Sequence, residues 1–433
     1  MLFFDERWLT LLLFITVGGV ILHIPAMSAL GVLSIVIISV SAFLQRHVLD
    51  NVAYERRFSE TRLFMGEIAE VACNLVNRSR LPIVSLQVDD VAPPGFQDAD
   101  DTSPETSYKT DERINLSQMT ALKPGEHTAR ISHLRAIRRG YYRFGTASLR
   151  AIDLLGLSVQ ERVDKPNDML IVYPRVFALD DLGLPTRDPF GAFAALRRLV
   201  EDPARIMGAR DYRFGDPFRQ IHWKATAHAG ALQTRVCENT SEPTAVVMLN
   251  VTTFEEDWRG TDVERFEWTL SVAGSLAVWA DKNGCTIGLS SNGTAPSLPE
   301  ALRVRPRRSP NQLTRILESL AVMYSFTLTP FDMFLLSEQS RLPLGASLVV
   351  VTPVFTPRIE TALARLNSLG KNLIVIVVDR KAPDAHNLPY PVYHIPPPPD
   401  FWNGGMWNGK QKSGEPLAFD SARVDTSAEG AGS

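Results

Sequence analysis

Apolar residues crowd the first tenth of the chain, alternate with polar ones through the next third, and later return as solid runs separated by segments of helical period. From Trp8 to Ile24 the sequence reads WLTLLLFITVGGVILHI, and after Pro25 it continues as AMSALGVLSIVIISVSAFL to Leu44. Neither run holds an acidic residue, a lysine or an arginine. As helices they reach roughly 25 to 29 Å each, near the hydrocarbon thickness of a bilayer, which predicts a transmembrane helical hairpin over residues 1–46. Arg7 precedes the first run, Arg46, Arg56 and Arg57 follow the second, and the corner has no lysine or arginine. The positive-inside rule then places the N-terminus and the large C-terminal region in the cytoplasm, with two passes through the membrane.

Between residues 47 and 178 the pattern changes to short runs rich in valine and isoleucine. IAEVACNLVN and IVSLQV are separated by Asn77-Arg78-Ser79-Arg80, similar segments recur from Thr128 to Val163, and LIVYPRV follows at 170–176. Short strands divided by turn residues predict a β-rich, sandwich-like domain. An acidic stretch over 89–112, with Asp89, Asp90, Asp98, Asp100, Asp101, Glu105, Asp111 and Glu112, has little to bury and reads as a surface loop. The sign then reverses. Lys123, Arg130, Arg135, Arg138, Arg139 and Arg143 are interleaved with Tyr141, Tyr142 and Phe144, which reads as a solvated strand facing anionic lipid, the acidic loop or a partner protein.

From residue 244 the period changes again. TAVVMLNV, CTIGLS, SLVVVT and NLIVIVVD are continuous apolar strands, and they alternate with helical segments at 262–282, about 310–323 and PRIETALARLNSLG. Such alternation predicts an α/β domain over 244–396, a parallel sheet covered on both faces. The glycine-, asparagine- and serine-rich residues 397–433 read as an irregular tail.

Composition narrows the function classes. Near-neutrality, with a net charge of −3, argues against a nucleic-acid-binding protein with a basic surface. Cys73, Cys237 and Cys285 lie far apart and give neither a disulfide framework nor zinc spacing. There is no G-x-x-x-x-G-K-S/T phosphate loop, so no nucleotide cofactor is expected.

The most distinctive run, GARDYRFGDPFRQIHWKATAHAG, falls in a linker segment over 179–243. Asp216-Pro217 is a helix-start pair, Arg213, Arg219 and Lys224 suit pairing with Asp211, Asp216 or a partner's carboxylates, and Trp223 suits an apolar anchor. The segment reads first as a clasp between domains. The competing enzyme reading is a hydrolase that uses Asp216 with His222 or His228, although no metal-binding spacing such as H-E-x-x-H accompanies them.

Tyr212, Arg213, Gly215, Asp216, Arg219, Ile221, Trp223 and Lys224 in this run resemble the hallmark of the bacterial family catalogued as domain of unknown function fifty-eight. The flanking RRGYYRFG, DLLGL and YPRV segments extend that resemblance. It implies a von Willebrand factor type A-like, Rossmann-like domain and association with MoxR-type AAA+ ATPases and other membrane or envelope-associated proteins. It also implies a bacterial inner-membrane location on the lipid bilayer. In type A domains a D-x-S-x-S motif after the first strand supplies oxygen ligands to Mg²⁺. The matching positions here are Asn250, Thr252 and Phe254: the first lacks the anionic charge, the second keeps a hydroxyl and the third has no oxygen. No metal, cofactor or catalytic residue is therefore expected, and the reading is a non-enzymatic, membrane-tethered adaptor or assembly protein that binds other proteins.

Overall fold

The computed structural model describes residues 6–45, 48–100, 113–152, 159–184, 206–213, 218, 221–237, 244–255, 259–296, 300–343, 345–383 and 388–398. Two antiparallel helices come first, α1 (Glu6–Ile21) and α2 (Pro25–Gln45). They pack closely where side chains are smallest: a Cβ on Gly19 would lie 2.6 Å from the Ser28 backbone nitrogen, and one on Gly31 would lie 2.3 Å from Thr16 Oγ1. His23 turns the corner with a φ of 52°.

The expected transmembrane hairpin over residues 1–46 is corrected here, because among the described residues no helix is long and apolar enough to cross a membrane. At 16 residues α1 reaches about 24 Å, short of a roughly 30 Å hydrocarbon core. With the spans go the supports for the two-pass inner-membrane location, the cytoplasmic placement of the rest of the chain and contact with a lipid bilayer.

Eleven strands follow: β1 (Val52–Phe58), β2 (Arg62–Phe64), β3 (Ile68–Asn77), β4 (Ile83–Asp89), β5 (Phe96–Asp98), β6 (Gln118–Leu122), β7 (His127–Ala136), β8 (Gly140–Arg143), β9 (Ala147–Ile152), β10 (Val159–Asp164) and β11 (Met169–Tyr173). They form two four-stranded sheets, ordered β1-β3-β7-β5 and β10-β9-β4-β6, and a three-stranded sheet ordered β2-β11-β8. β3 shows why: its alternate residues Ala69, Val71, Cys73, Leu75 and Asn77 are buried, as the two-residue period of a half-buried strand requires.

The acidic stretch is in part built into these sheets rather than looped out. Asp89 ends β4, Asp98 ends β5, and Asp90 is fully buried. Arg56 donates to both Asp90 carboxylate oxygens at 2.9 and 2.6 Å, and the Tyr54 hydroxyl donates to the same group at 2.5 Å. Burial, and then the Asp90 charge, push the Tyr54 phenol far above the usual tyrosine range. Residues 101–112 of the expected loop lie outside the described residues.

A two-stranded ribbon of β12 (Ile206–Asp211) and β13 (Gln233–Cys237), with the short helix α3 (Trp223–Ala229) between them, links to the last unit. That unit contains β14 (Thr244–Leu249), α4 (Val263–Lys282), β15 (Thr286–Ser291), β16 (Gly293–Thr294), β17 (Arg303–Val304), α5 (Gln312–Ala321), β18 (Tyr324–Thr327), α6 (Phe331–Glu338), β19 (Ser347–Thr352), α7 (Pro357–Ser368), β20 (Asn372–Val377) and β21 (Val392–His394). Its main sheet has the order β17-β15-β14-β19-β20-β21, parallel except for the edge strand β17. Both faces are covered. Ala245, Val247 and Leu249 of β14 join the core under α4 and α5, whereas Val246 and Met248 join the one under α6 and α7.

The first of these cores does not stop at the unit boundary. It runs unbroken from Leu63, Val71, Phe144 and Val172 in the β-rich unit to Trp268, Leu276 and Leu317 in the α/β unit. Arg139 seals the seam from the β-rich side. It ion-pairs with Glu267 of α4, donates to the Leu320 and Met323 carbonyls at 2.9 and 2.7 Å, and lies over the Phe266 ring. Since α5 has no basic residue in its last turn, Arg139 supplies the cation that its carboxyl end lacks.

Candidate functional site

Counted from β14, the main sheet has the order 3-2-1-4-5-6, and its strand order reverses between β14 and β19. In open α/β sheets ligands gather outside the carboxyl ends of the strands at this reversal. The residues found there are Asn250, directly after β14, and Thr352, the last residue of β19; both are fully buried.

A closed polar network fills the position. Asn250 Nδ2 donates to Thr352 Oγ1 at 3.0 Å, and Thr352 Oγ1 donates onward to the Val354 carbonyl at 2.6 Å. Asn250 Oδ1 accepts from the Thr252 backbone at 3.0 Å and from Asn292 Nδ2 at 3.2 Å. Asn292 Oδ1 in turn accepts from the Val251 backbone at 3.0 Å, and its amide also reaches Thr252 Oγ1 at 3.3 Å. These neutral groups tie together the ends of three strands. Asn250 Oδ1 accepts two of these bonds and Asn292 Oδ1 one, so both buried amide oxygens are hydrogen-bonded inside the network.

Phe254, the third position of the degenerate motif, lies under the Arg265 guanidinium, 5.5 Å from ring centroid to Cζ. Arg265 also pairs with Asp262 at 3.2 Å and Asp379 at 3.4 Å and donates to the Thr253 carbonyl at 3.2 Å. The carboxylates nearest the sheet edge thus already hold a cation, and no cluster of three or more histidine, cysteine, aspartate or glutamate side chains suited to a metal occurs among the described residues.

Beside this network the β16–β18 ribbon turns apolar groups outward. Tyr324, Phe326 and Leu328, on alternate positions, are 56%, 65% and 47% exposed. Thr294 Oγ1 donates to the Phe326 carbonyl at 3.4 Å, and Thr261 Oγ1 donates to Ser325 Oγ at 3.0 Å. The ribbon is therefore fixed to the loops at the sheet's carboxyl edge.

The motif residues singled out in the sequence occupy a different place. Trp223 is 66% exposed, whereas Arg139 makes contacts across the seam. Ile221 is the buried member, bridged to Thr234. Tyr212 donates its backbone N–H to Leu232 and its ring lies beside the exposed Phe218, 5.9 Å between centroids. Arg213 and Lys224 are exposed. Gly215, Asp216 and Arg219 lie outside the described residues, as does the proposed helix start at Asp216-Pro217; the described helix begins at Trp223. His222 caps it, with Nδ1 accepting from the Ala225 backbone at 3.1 Å. His228 sits exposed in the last turn. A histidine that caps a helix through its ring nitrogen is occupied structurally.

Sequence reading did not find Asn292 or Arg265. The polar SSNGT after a buried strand was a signal for the first, because strand ends at the carboxyl edge carry the polar groups of such sheets. For the second no local pattern separates a bridging arginine from a solvated helix residue.

Residues 208–389 match the family model described as "Protein of unknown function DUF58". A relative in Bacillus subtilis (strain 168), "Uncharacterized protein YeaD", is 22% identical over 240 residues. That match covers 55% of this chain and 55% of the relative, so the chain spans little more than half of the relative's length. Among solved structures, the cupredoxin domain of amoB from Nitrosocaldus yellowstonii is 14% identical with a TM-score of 0.18, covering 28% of this chain and 86% of that one. A PapD-like domain of human CEP192 is 13% identical with a TM-score of 0.17, covering 28% and 83%.

Proposed function

We propose that this chain is a non-enzymatic adaptor or assembly protein that binds protein partners through the carboxyl edge of its parallel sheet, in the manner of a von Willebrand factor type A-like domain. The observation that carries the reading is the pairing of two features. The crevice where a small ligand or metal would sit is closed by the Asn250, Asn292 and Thr352 network, while the ribbon beside it exposes Tyr324, Phe326 and Leu328. Aromatic and aliphatic side chains clustered outward are what a protein interface needs at its centre. A MoxR-type AAA+ ATPase is the partner proposed, and any nucleotide hydrolysis belongs to it.

The test is binding of the full chain to a MoxR-type ATPase from the same genome, measured by calorimetry or interferometry. Phe326→Asp is expected to weaken binding at least tenfold while leaving the thermal midpoint within a degree or two, because the side chain is already exposed. Absence of binding by the unaltered chain, or equal binding by the variant, overturns the reading.

A further inference from the structure

Next to the β16–β18 ribbon, at the β17 border of the main sheet, a groove of about 860 Å³ opens between the two units. Tyr141 of β8 and Ile171 of β11 form one wall, and β17 with the first turns of α5 forms the other. Arg305, Arg307 and Arg315 line it, all three exposed, and none has a carboxylate within ion-pair distance among the described residues. Two other charged lining residues are already committed: Glu318 pairs with Arg62 at 3.1 Å, and Arg303 pairs with the buried Glu338 at 2.9 Å. The groove therefore carries an uncompensated positive charge although the whole chain is slightly negative.

The β17 wall adds direction to this charge. Among the described residues the two-residue β17 ends the strand order and pairs only with β15, so no described strand covers its outer edge. An open edge binds an extended chain by main-chain hydrogen bonds. Arginines beside it repel a second copy of the same edge and favour a strand of opposite charge. An anionic membrane would meet the arginines but has no use for a strand edge in the wall of a groove.

We infer that this groove is a second docking site, separate from the β18 ribbon, that takes an acidic, extended segment of a partner protein as an added strand beside β17. Acidic side chains on one side of the segment reach Arg305, Arg307 and Arg315, and the exposed Tyr141 ring contacts the apolar side chains between them.

The probe is a fluorescently labelled decapeptide of alternating glutamate and valine, titrated into the full chain and followed by anisotropy. Saturable binding is expected, weakened at least tenfold by the triple change Arg305→Glu, Arg307→Glu and Arg315→Glu, and weakened as salt rises. A peptide of the same sequence with alternate backbone nitrogens methylated is expected to lose at least tenfold in affinity; this arm needs no protein variant. Phe326→Asp should leave both results unchanged, which separates this site from the ribbon. Equal affinity for the methylated peptide means charge attraction alone and overturns the inference. So does binding to phosphatidylserine vesicles, lost in the triple variant, with no binding of the peptide.

Discussion

Replacing Arg139 with alanine tests whether the seam between the two units is a structural weld or a loose contact. The side chain is 6% exposed and Glu267, its ion partner, 13%. Each of its two hydrogen bonds to carbonyls, at 2.9 and 2.7 Å, is charge-assisted and contributes about 1.5 to 3 kcal/mol. Truncation also leaves Glu267 buried without a counter-charge, and breaking a buried pair from one side costs about 3 to 5 kcal/mol. These figures describe the same loss from two directions and are not additive. The expected destabilisation is therefore about 3 to 5 kcal/mol, read from urea unfolding followed by circular dichroism. Glu267→Gln in the Arg139→Ala background should recover part of it, and the double-mutant cycle should give a coupling of at least about 1 kcal/mol. A loss below about 1 kcal/mol, the range of exposed pairs, would refute the assignment of Arg139 to the seam.

Three further outcomes follow from the same reasoning. Asn250→Asp would supply the anionic first position of a D-x-S-x-S pattern, but it places a carboxylate in a fully buried network and should cost about 3 kcal/mol or more. Added Mg²⁺ should not recover the thermal midpoint, because Phe254 offers no oxygen; a magnesium-dependent rise would contradict this account. The buried Tyr173 hydroxyl has no hydrogen-bond partner among the described residues, so Tyr173→Phe should leave stability unchanged or raise it, and a loss above about 1 kcal/mol would show a missed partner. Burial pushes the phenols of Tyr142 and Tyr173 up to about 12. Their neutral forms are favoured in the fold, so this contribution is complete below pH about 10 and fades as pH rises toward 12. Absorbance at 295 nm should show both ionising late or with unfolding, and simple titration of every tyrosine near pH 10 would argue against their burial.

The parallel strands were plain in the sequence because each is buried on both faces, so TAVVML, SLVVVT and NLIVIV appear as unbroken apolar runs. The 20-residue helix α4 was equally plain, with Asp262 capping its start and Lys282 in its last turn. The two-residue alternation of β3 marked a half-buried sheet. Other features were illegible for definite reasons. Asp90 looks like any acid of a polar stretch, and only the fold brings Arg56 and Tyr54 to it from β1. Arg139 sits in a basic run suggestive of a solvated strand, yet its partners lie more than a hundred residues away. Trp223 was misjudged in the other direction, since a large aromatic in a distinctive motif invites burial that the fold does not give it. At the candidate site the uncharged Asn250 and the oxygen-free Phe254 were visible; their partners were not, because Asn292 and Arg265 arrive from separate elements.

The apolar core that passes unbroken from the sandwich sheets to α4 and α5 has a consequence for how this chain handles force and cutting. Domains joined by small, wet interfaces swing; bodies that share one interior do not. A partner pulling on the β18 ribbon would load the strands around Val71 and Val172 through that shared interior. Excising residues 244–396 would not release a finished module but tear open a greasy surface, leaving Leu276 and Leu317 without the neighbours they were folded against.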